Sequence, residues 1–467
     1  MKKLFLTIGI AAISGMAFSQ NAIDALTMSQ TNPVLGTARY SGMAGAFNAL
    51  GGNPSAIKDN PAALGVYRSS DLTFSPSMYI NNDGDLKGAL DNFAFVINLP
   101  SKKQKHGYIT SSIGFNYNRL INFSRYTRNR GERVDFSLSD EFAKDGPGSL
   151  YYDKGVELGI INDNEGKSCF GGEEVIRKNT MMEKGHVGQW DIAYGLNISN
   201  LAYLGASLSF TTLEYKQTTM FEETTLPDEA FDRWYSDQVY YADGHGFNFR
   251  LGAIVRPIDE FRFGVSFETP TYYKITDYSD MQIDDDMGDP LKIDDSELRY
   301  SMRTPLKFKT GVGIVIGKNA MIGVDYQYEN FKKLRLKYDD IYLDNETDVA
   351  ETQMNAVHTL KLGGEVQVVD GFFLRAGLAY ASAPMNDYDR DVAENTVNYR
   401  MISIPRESIF VTGGAGYKGE HFYCDLAYAF QNKKEILYNY LPIWTTDEPT
   451  KHDLKTRNII ATFGWRF

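Results

Sequence analysis

From Asp71 to the C-terminus, apolar and polar side chains alternate with a period of two. In the stretch 261–269, Phe261, Phe263, Val265 and Phe267 fall on one face, and Arg262, Gly264, Ser266 and Glu268 on the other. Phe422, Cys424, Leu426, Tyr428 and Phe430 oppose Tyr423, Asp425, Ala427 and Ala429 in the same way. So do Ile322, Val324, Tyr326 and Tyr328 against Gly323, Asp325, Gln327 and Glu329. This is the pattern of a strand with one face in an apolar phase. About fourteen such segments recur, near 71–81, 91–99, 108–124, 187–198, 201–215, 245–256, 260–273, 298–316, 319–330, 355–369, 371–382, 409–417, 420–432 and 454–467. Beyond the N-terminus, no window has the ~18 consecutive apolar residues of a spanning helix.

The connections alternate in length. Short ones sit at Ser199-Asn200, Pro257–Asp259, Gly317-Lys318, Asp370 and Lys418-Gly419; long ones run near 125–186, 216–244, 274–297, 331–354, 383–408 and 433–453. Outer-membrane barrels have short periplasmic turns and long extracellular loops. The expected fold is therefore all-β: a transmembrane antiparallel barrel of about fourteen strands over 71–467, with both termini on the periplasmic side of a Gram-negative outer membrane. The last strand carries Ile459, Ala461, Phe463, Trp465 and Phe467 on its outward stripe. A terminal aromatic there resembles the signal read by the outer-membrane barrel assembly machinery, which assigns Phe463, Trp465 and Phe467 that role.

Residues 1–19, MKKLFLTIGIAAISGMAFS, have a basic start, a short apolar run and small residues before Gln20, the form of a secretory signal peptide. Residues 20–70 lack strand alternation. Fourteen strands ~4.8 Å apart and tilted ~45° enclose a cylinder ~30 Å across. Left open, it would leak, so 20–70 is the candidate plug. Met43, Ala46, Phe47 and Leu50 have helical spacing, with Ser41 placed to cap and Gly51-Gly52 to stop. Asn53-Pro54 and Asn60-Pro61 each put a capping side chain before a proline at a first helical position.

Arg39-Tyr40-Ser41-Gly42, then Asn60-Pro61-Ala62, directly before the first strand, resemble the hatch of the FadL family of outer-membrane transporters for long-chain fatty acids and other hydrophobic compounds. The match at residue level covers about 36–66. The resemblance implies a monomeric barrel that takes up hydrophobic molecules passively and releases them sideways through the wall. It implies that Asn60, Pro61 and Ala62 hold the hatch conformation, with Tyr40 and Gly42 packing nearby. Burial of each CH₂ is worth ~0.8 kcal/mol, so such a route keeps an alkyl chain out of water. The third segment holds Gly114 but no proline; Pro76 and Pro305 interrupt other segments.

Composition narrows the alternatives. The chain of 467 residues has a net charge of −12, which argues against nucleic acid as partner. Two cysteines exclude a disulfide scaffold. Six scattered histidines and no GxSxG elbow give no catalytic or haem pattern, so no enzyme, cofactor or resident metal is expected. The acidic run Asp284-Asp285-Asp286, Asp289, Asp294-Asp295 lacks EF-hand spacing and reads first as a solvated loop, second as a calcium site. Arg250, Lys307, Lys309, Lys361 and Arg375 face the lumen and could attract a ligand carboxylate, although inward charges are ordinary in barrels. The expected partners are outer-membrane lipid and a hydrophobic small molecule. A different class of function also fits a fourteen-stranded barrel: docking or shuttling for a secretion system, with the long segment 125–186 binding protein. A siderophore receptor fits poorly, because its plug domain would exceed residues 20–70.

Overall fold

The structure, a computed structural model, describes residues 21–101, 107–128, 131–134, 137–169, 174–225, 233–284, 290–317, 319–338, 341–342, 344–386, 401–438 and 450–467. The leader 1–19 and residues 285–289 of the acidic run lie outside these residues.

Fourteen antiparallel strands form the wall: β1 (Asp71–Ile80), β2 (Leu86–Pro100), β3 (Tyr108–Asn122), β4 (Val175–Ile198), β5 (Ala202–Thr225), β6 (Arg233–Val255), β7 (Phe261–Glu268 and Tyr272–Asp284), β8 (Leu291–Arg303 and Lys307–Ile316), β9 (Ala320–Asn330), β10 (Ala356–Val369), β11 (Phe372–Ala381), β12 (Ile402–Lys418), β13 (Phe422–Tyr438) and β14 (Thr450–Arg466). Each strand pairs with the next, and β14 returns to β1 with Trp465 opposite Leu72. Closure removes the unpaired edges that lipid could not satisfy. The outward stripes are exposed and apolar, as in Leu72, Phe74 and Met78 on β1. Their inward neighbours Thr73, Ser75 and Ser77 are buried and polar.

The strands outrun the sequence expectation. β4, β5 and β6 are 24, 24 and 23 residues long, about twice the ~9–11 that cross a bilayer. The expected loops 216–244 and 274–297 are thus largely continued strand, as are 433–438 and 450–453 of the expected loop 433–453, and part of 125–186 pairs with β4. The reason lies in an inversion of polarity along each strand. On β5, Leu204, Leu208 and Phe210 point outward and Ser207 and Ser209 inward. Past Thr211, Leu213 and Tyr215 point inward and Glu214 and Lys216 outward. The outer face has moved from lipid to water, and the inner face has become a core.

Two irregularities interrupt the wall. Pro270 and Pro305 break β7 and β8 side by side, and Thr304 N donates to Thr271 O at 3.1 Å across the breaks. At Pro76, the β1–β2 register slips, and the β1–β14 ladder lapses between Phe74 and Ser77. A proline cannot donate to the ladder, which places it at such bulges.

Between β3 and β4, two helices, Leu138–Asp145 and Leu150–Leu158, fold back onto the inner face of the strand tips. Leu138, Phe142, Phe221 and Trp234 share one core there. Glu223 anchors it, accepting from Arg177 at 2.8 Å and Trp234 Nε1 at 3.1 Å.

The plug enters as helix Asn21–Ser29, then helix Ala38–Gly42, then two single 3-10 turns at Pro54–Lys58 and Pro61–Val66. Asn53 and Asn60 cap these turns as expected, each accepting from the backbone two residues on. The helix expected over 43–50 does not form. Ala44 and Gly45 have φ of 49° and 72°, which ends the helix at Gly42. Met43, Phe47 and Leu50 still converge, because successive turns bring them into one core with Tyr40. Ser41 is no cap; Thr37 is, and the Ser41 hydroxyl donates to Val34 O at 2.7 Å.

Candidate functional site

The plug is joined to the wall by one amide side chain above all. Asn60 Oδ1 accepts from Ala62 N at 3.0 Å, closing the turn. Its Nδ2 donates to Asn48 O at 2.8 Å and lies 3.2 and 3.4 Å from Ala253 O and Val265 O on β6 and β7. Pro61 and Ala62 lie against β5 at Gly205, where any Cβ would collide with them. Ala62 packs on Tyr203 and Ile254.

A second joint is Arg39. Its guanidinium meets Glu365 of β10 through two bonds of 2.8 Å and lies 5.4 Å from the centre of the Phe47 ring. Glu365 also takes Arg375 at 2.6 Å, which reaches Asp425 at 2.7 Å. Gly42 approaches Arg375 and Gly414, and its carbonyl accepts from Thr412 Oγ1 at 3.1 Å.

The third joint is Asp59. It accepts from the Tyr40 hydroxyl, from Lys309 at 2.8 Å and from Lys361 at 3.5 Å. Burial by itself would raise the Asp59 carboxyl; Lys309, Lys361 and Lys58 outweigh it and hold the group far below the carboxylate range. Burial pushes Lys58 down to about 7, with Asp59 opposing and Lys361 and Lys309 assisting. The Lys58 ammonium donates to Leu35 O and sits over the Tyr40 ring at 4.6 Å.

The five lumenal cations expected as ligand attractors are thus already paired with protein carboxylates. Lys309, Lys361 and Arg375 are accounted for above. Arg250 meets Glu268 at 2.9 Å and Asp191 at 3.5 Å, and Lys307 meets Glu329 at 3.4 Å. Their place is structural: buried charges need partners, and these tie plug to wall. A polar cavity of about 30 Å³ remains among Lys58, Arg250, Lys307 and Lys309.

On the long-hairpin side of the plug the lumen turns apolar. The first plug helix sets Ile23, Leu26 and Met28 into a core with Leu213, Tyr215 and Ile275 of the wall. Beside it, a cavity of about 130 Å³ opens between the plug limb 27–35 and strands β1, β3 and β12–β14. Phe123, Phe410 and Leu454 contribute apolar side chains, and polar groups such as Asn32, Arg125, Glu183, Gln431 and Lys433 make up more than half of the lining. The sequence reading missed this chamber. The alternation of Leu213 and Tyr215 with Glu214 and Lys216 signals the neighbouring core, but period two by itself does not say whether an apolar stripe faces lipid or protein.

At the C-terminus, Phe467 closes the barrel seam. Its N–H donates to Ser70 O at 3.2 Å, and its ring stacks on Phe95 at 6.2 Å. Phe463 and Trp465 face outward, exposed.

No family model and no curated protein matches the chain. Solved structures do. The CymD monoaromatic hydrocarbon channel aligns with a TM-score of 0.55 at 10% identity, covering 94% of this chain and 99% of that one. The Ralstonia pickettii toluene transporter TbuX gives 0.55 at 13%, covering 93% and 99%. A FadL homologue from Pseudomonas aeruginosa gives 0.54 at 14%, covering 94% and 99%. At these identities the likeness is one of fold, and it extends over nearly the whole chain.

Proposed function

We propose that this chain is an outer-membrane channel of the FadL kind, a monomer that lets small hydrophobic molecules such as long-chain fatty acids enter passively, with its plug as the gate. The shared fold with hydrocarbon and toluene channels supports it. The observation that carries it is the division of the lumen. A plug tied to the wall by ion pairs fills the lumen, while the cavity on its long-hairpin side sets the apolar side chains Phe123, Phe410 and Leu454 among polar groups such as Asn32 and Arg125.

In this scheme the short turns face the periplasm and the long hairpins face out. Ligand enters at the hairpin end, rests against the plug, and leaves through the wall. The Ser75–Pro76 lapse between β1 and β14 lies next to Tyr79 and Ile80, which line the cavity, and is our choice for the exit. The test is uptake. Liposomes carrying the protein should take up a labelled long-chain fatty acid faster than empty ones. Equal rates, with the barrel folded, would overturn the proposal.

The docking alternative relied on the length of 125–186. That segment is instead largely packed on its own wall, through β4 pairing and the Glu223 anchor.

A further inference from the structure

The segment after β9 reads Lys332-Lys333-Leu334-Arg335-Leu336-Lys337, four cations in six residues of a chain with a net charge of −12. Leu334 and Leu336 are buried in the core inside the wall. The alternate residues therefore point outward. This segment pairs with β8, which sets Arg335 directly opposite Arg303 and Lys337 opposite Ser301. On the other side of β8, β7 sets Tyr272 opposite Arg303 and Lys274 opposite Ser301. Residues opposite one another across a ladder share a face. Lys274, Arg303, Arg335 and Lys337 thus form one outward patch, three strands wide at ~4.8 Å per strand.

Acids reach the edges of this patch. Glu351 bonds Arg335, and Glu297 meets Arg299, the next outward residue beyond Ser301, at 2.7 Å. Asp243 lies on β6, diagonal to Lys274. The centre still places Arg303 against Arg335, and like charges directly opposite each other destabilise a sheet. An anion between them removes that cost.

The height of the patch on the barrel says which anion. Pro270 and Pro305 break β7 and β8 beside it. On the short-turn side of the breaks the outward residues are Val265, Phe267, Leu306 and Phe308, all apolar and exposed. On the long-hairpin side they are Lys274, Arg303 and Arg299, also exposed. Tyr272 stands at the boundary, its ring centre 5.7 Å from the Arg303 guanidinium. The cations therefore begin where the apolar belt ends, at the level of lipid headgroups. Arginine takes phosphate oxygens in pairs through its planar fork, and lysine takes them as a point charge. We infer that this patch binds the phosphorylated sugar headgroup of the lipopolysaccharide that forms the outer leaflet. Lys274, Arg303 and Lys337 receive its phosphates, and Leu306 and Phe308 receive its acyl chains. The site lies on the outside of the wall, apart from the lumen, and takes from the proposed function only the orientation of the barrel.

The test uses the full-length protein in dodecyl maltoside with EDTA, and counts bound lipid by native mass spectrometry. The probes are lipid A carrying both phosphates and the same lipid with its phosphates removed. The wild type should hold the bisphosphate about tenfold more tightly. Changing Lys274, Arg303 and Lys337 together to Gln should lower bisphosphate binding by a similar factor. Changing Lys184, Lys216 and Lys455, three exposed cations elsewhere on the outer surface, to Gln should leave it unchanged. Phosphatidylglycerol, with one phosphate, should not displace the bisphosphate at equal concentration. Retention of the heat-modifiable barrel band on gels confirms that each variant is folded. Equal binding of the two probes by the wild type, equal losses in the two triple variants, or displacement by phosphatidylglycerol overturns the inference. Binding in detergent does not depend on orientation or uptake, so each of these results leaves the channel function to its own test.

Discussion

Gly363 of β10 lies directly beneath the Met43 carbonyl of the plug: a Cβ there would collide with that oxygen, whereas at the adjacent Gly364 the nearest atom is 3.8 Å away. The contrast follows the pleat, which turns one glycine inward and the next out. Gly363 is one of several. Gly195 pairs with Gly205, which pairs with Gly252, and all three would strike Leu64, Pro61 or Asn60 if given a side chain. Gly323 pairs with Gly363, which pairs with Gly377, with Ala46, Met43 and Ala44 above them. The wall is smooth where the plug's backbone rests on it.

Gly363→Ala should therefore displace the plug and raise ion conductance across planar bilayers, while Gly364→Ala should leave it near the wild-type level. Equal conductance of the two variants would show that the glycine surface does not seat the plug.

Asn60→Ala removes the donor to Asn48 O, Ala253 O and Val265 O and the cap on Ala62. Leaving such buried groups unpaired costs about 1–3 kcal/mol each where water cannot reach them. Hydrogen exchange of 53–66 should become faster than in the wild type, with the wall unchanged.

Asp59→Asn leaves Lys309 and Lys361 without their shared anion. Breaking a buried pair from one side costs roughly 3–5 kcal/mol. The plug should become sensitive to protease in detergent, and a second change, Lys309→Met, should restore part of the protection.

Docking should depend on pH through Lys58. Docked among Asp59, Lys309, Lys361, Asp91 and the Tyr40 ring, it is held at about 7; in a released plug it would return to 10.5. Between these values the released form binds more protons, so docking strengthens as pH rises from about 7 and is at its weakest below. Asp59, depressed when docked, adds no slope in this window. Protease protection of the plug should increase from pH 7 to pH 9 and lose that rise in Lys58→Met.

Removing Phe467 should reduce barrel assembly in cells while refolding in detergent proceeds, because among the described residues its contacts across the seam are with Ser70 and Phe95. Western blots of the membrane fraction against refolding yield would separate the two effects.

The strand pattern, the strand count, the short turns and the two Asn-Pro caps were all legible in the chain, because each depends on neighbours in sequence: the pleat alternates side chains every residue, and a cap bonds two residues away. Lumenal function was not. The same period-two stripe faces lipid at Phe210 and a protein core at Tyr215, and only the height along the barrel distinguishes them. Met43, Phe47 and Leu50 satisfy a helical spacing that the backbone fulfils by turns, because Ala44 and Gly45 adopt positive φ. Which charges pair could not be read from the chain either, since Lys309 meets Asp59 across 250 residues. The sequence determined a plugged barrel, because alternation and capping are local. The closed wall decided which charges cancel and where the lumen turns apolar, because burial and pairing depend on residues that only closure brings together.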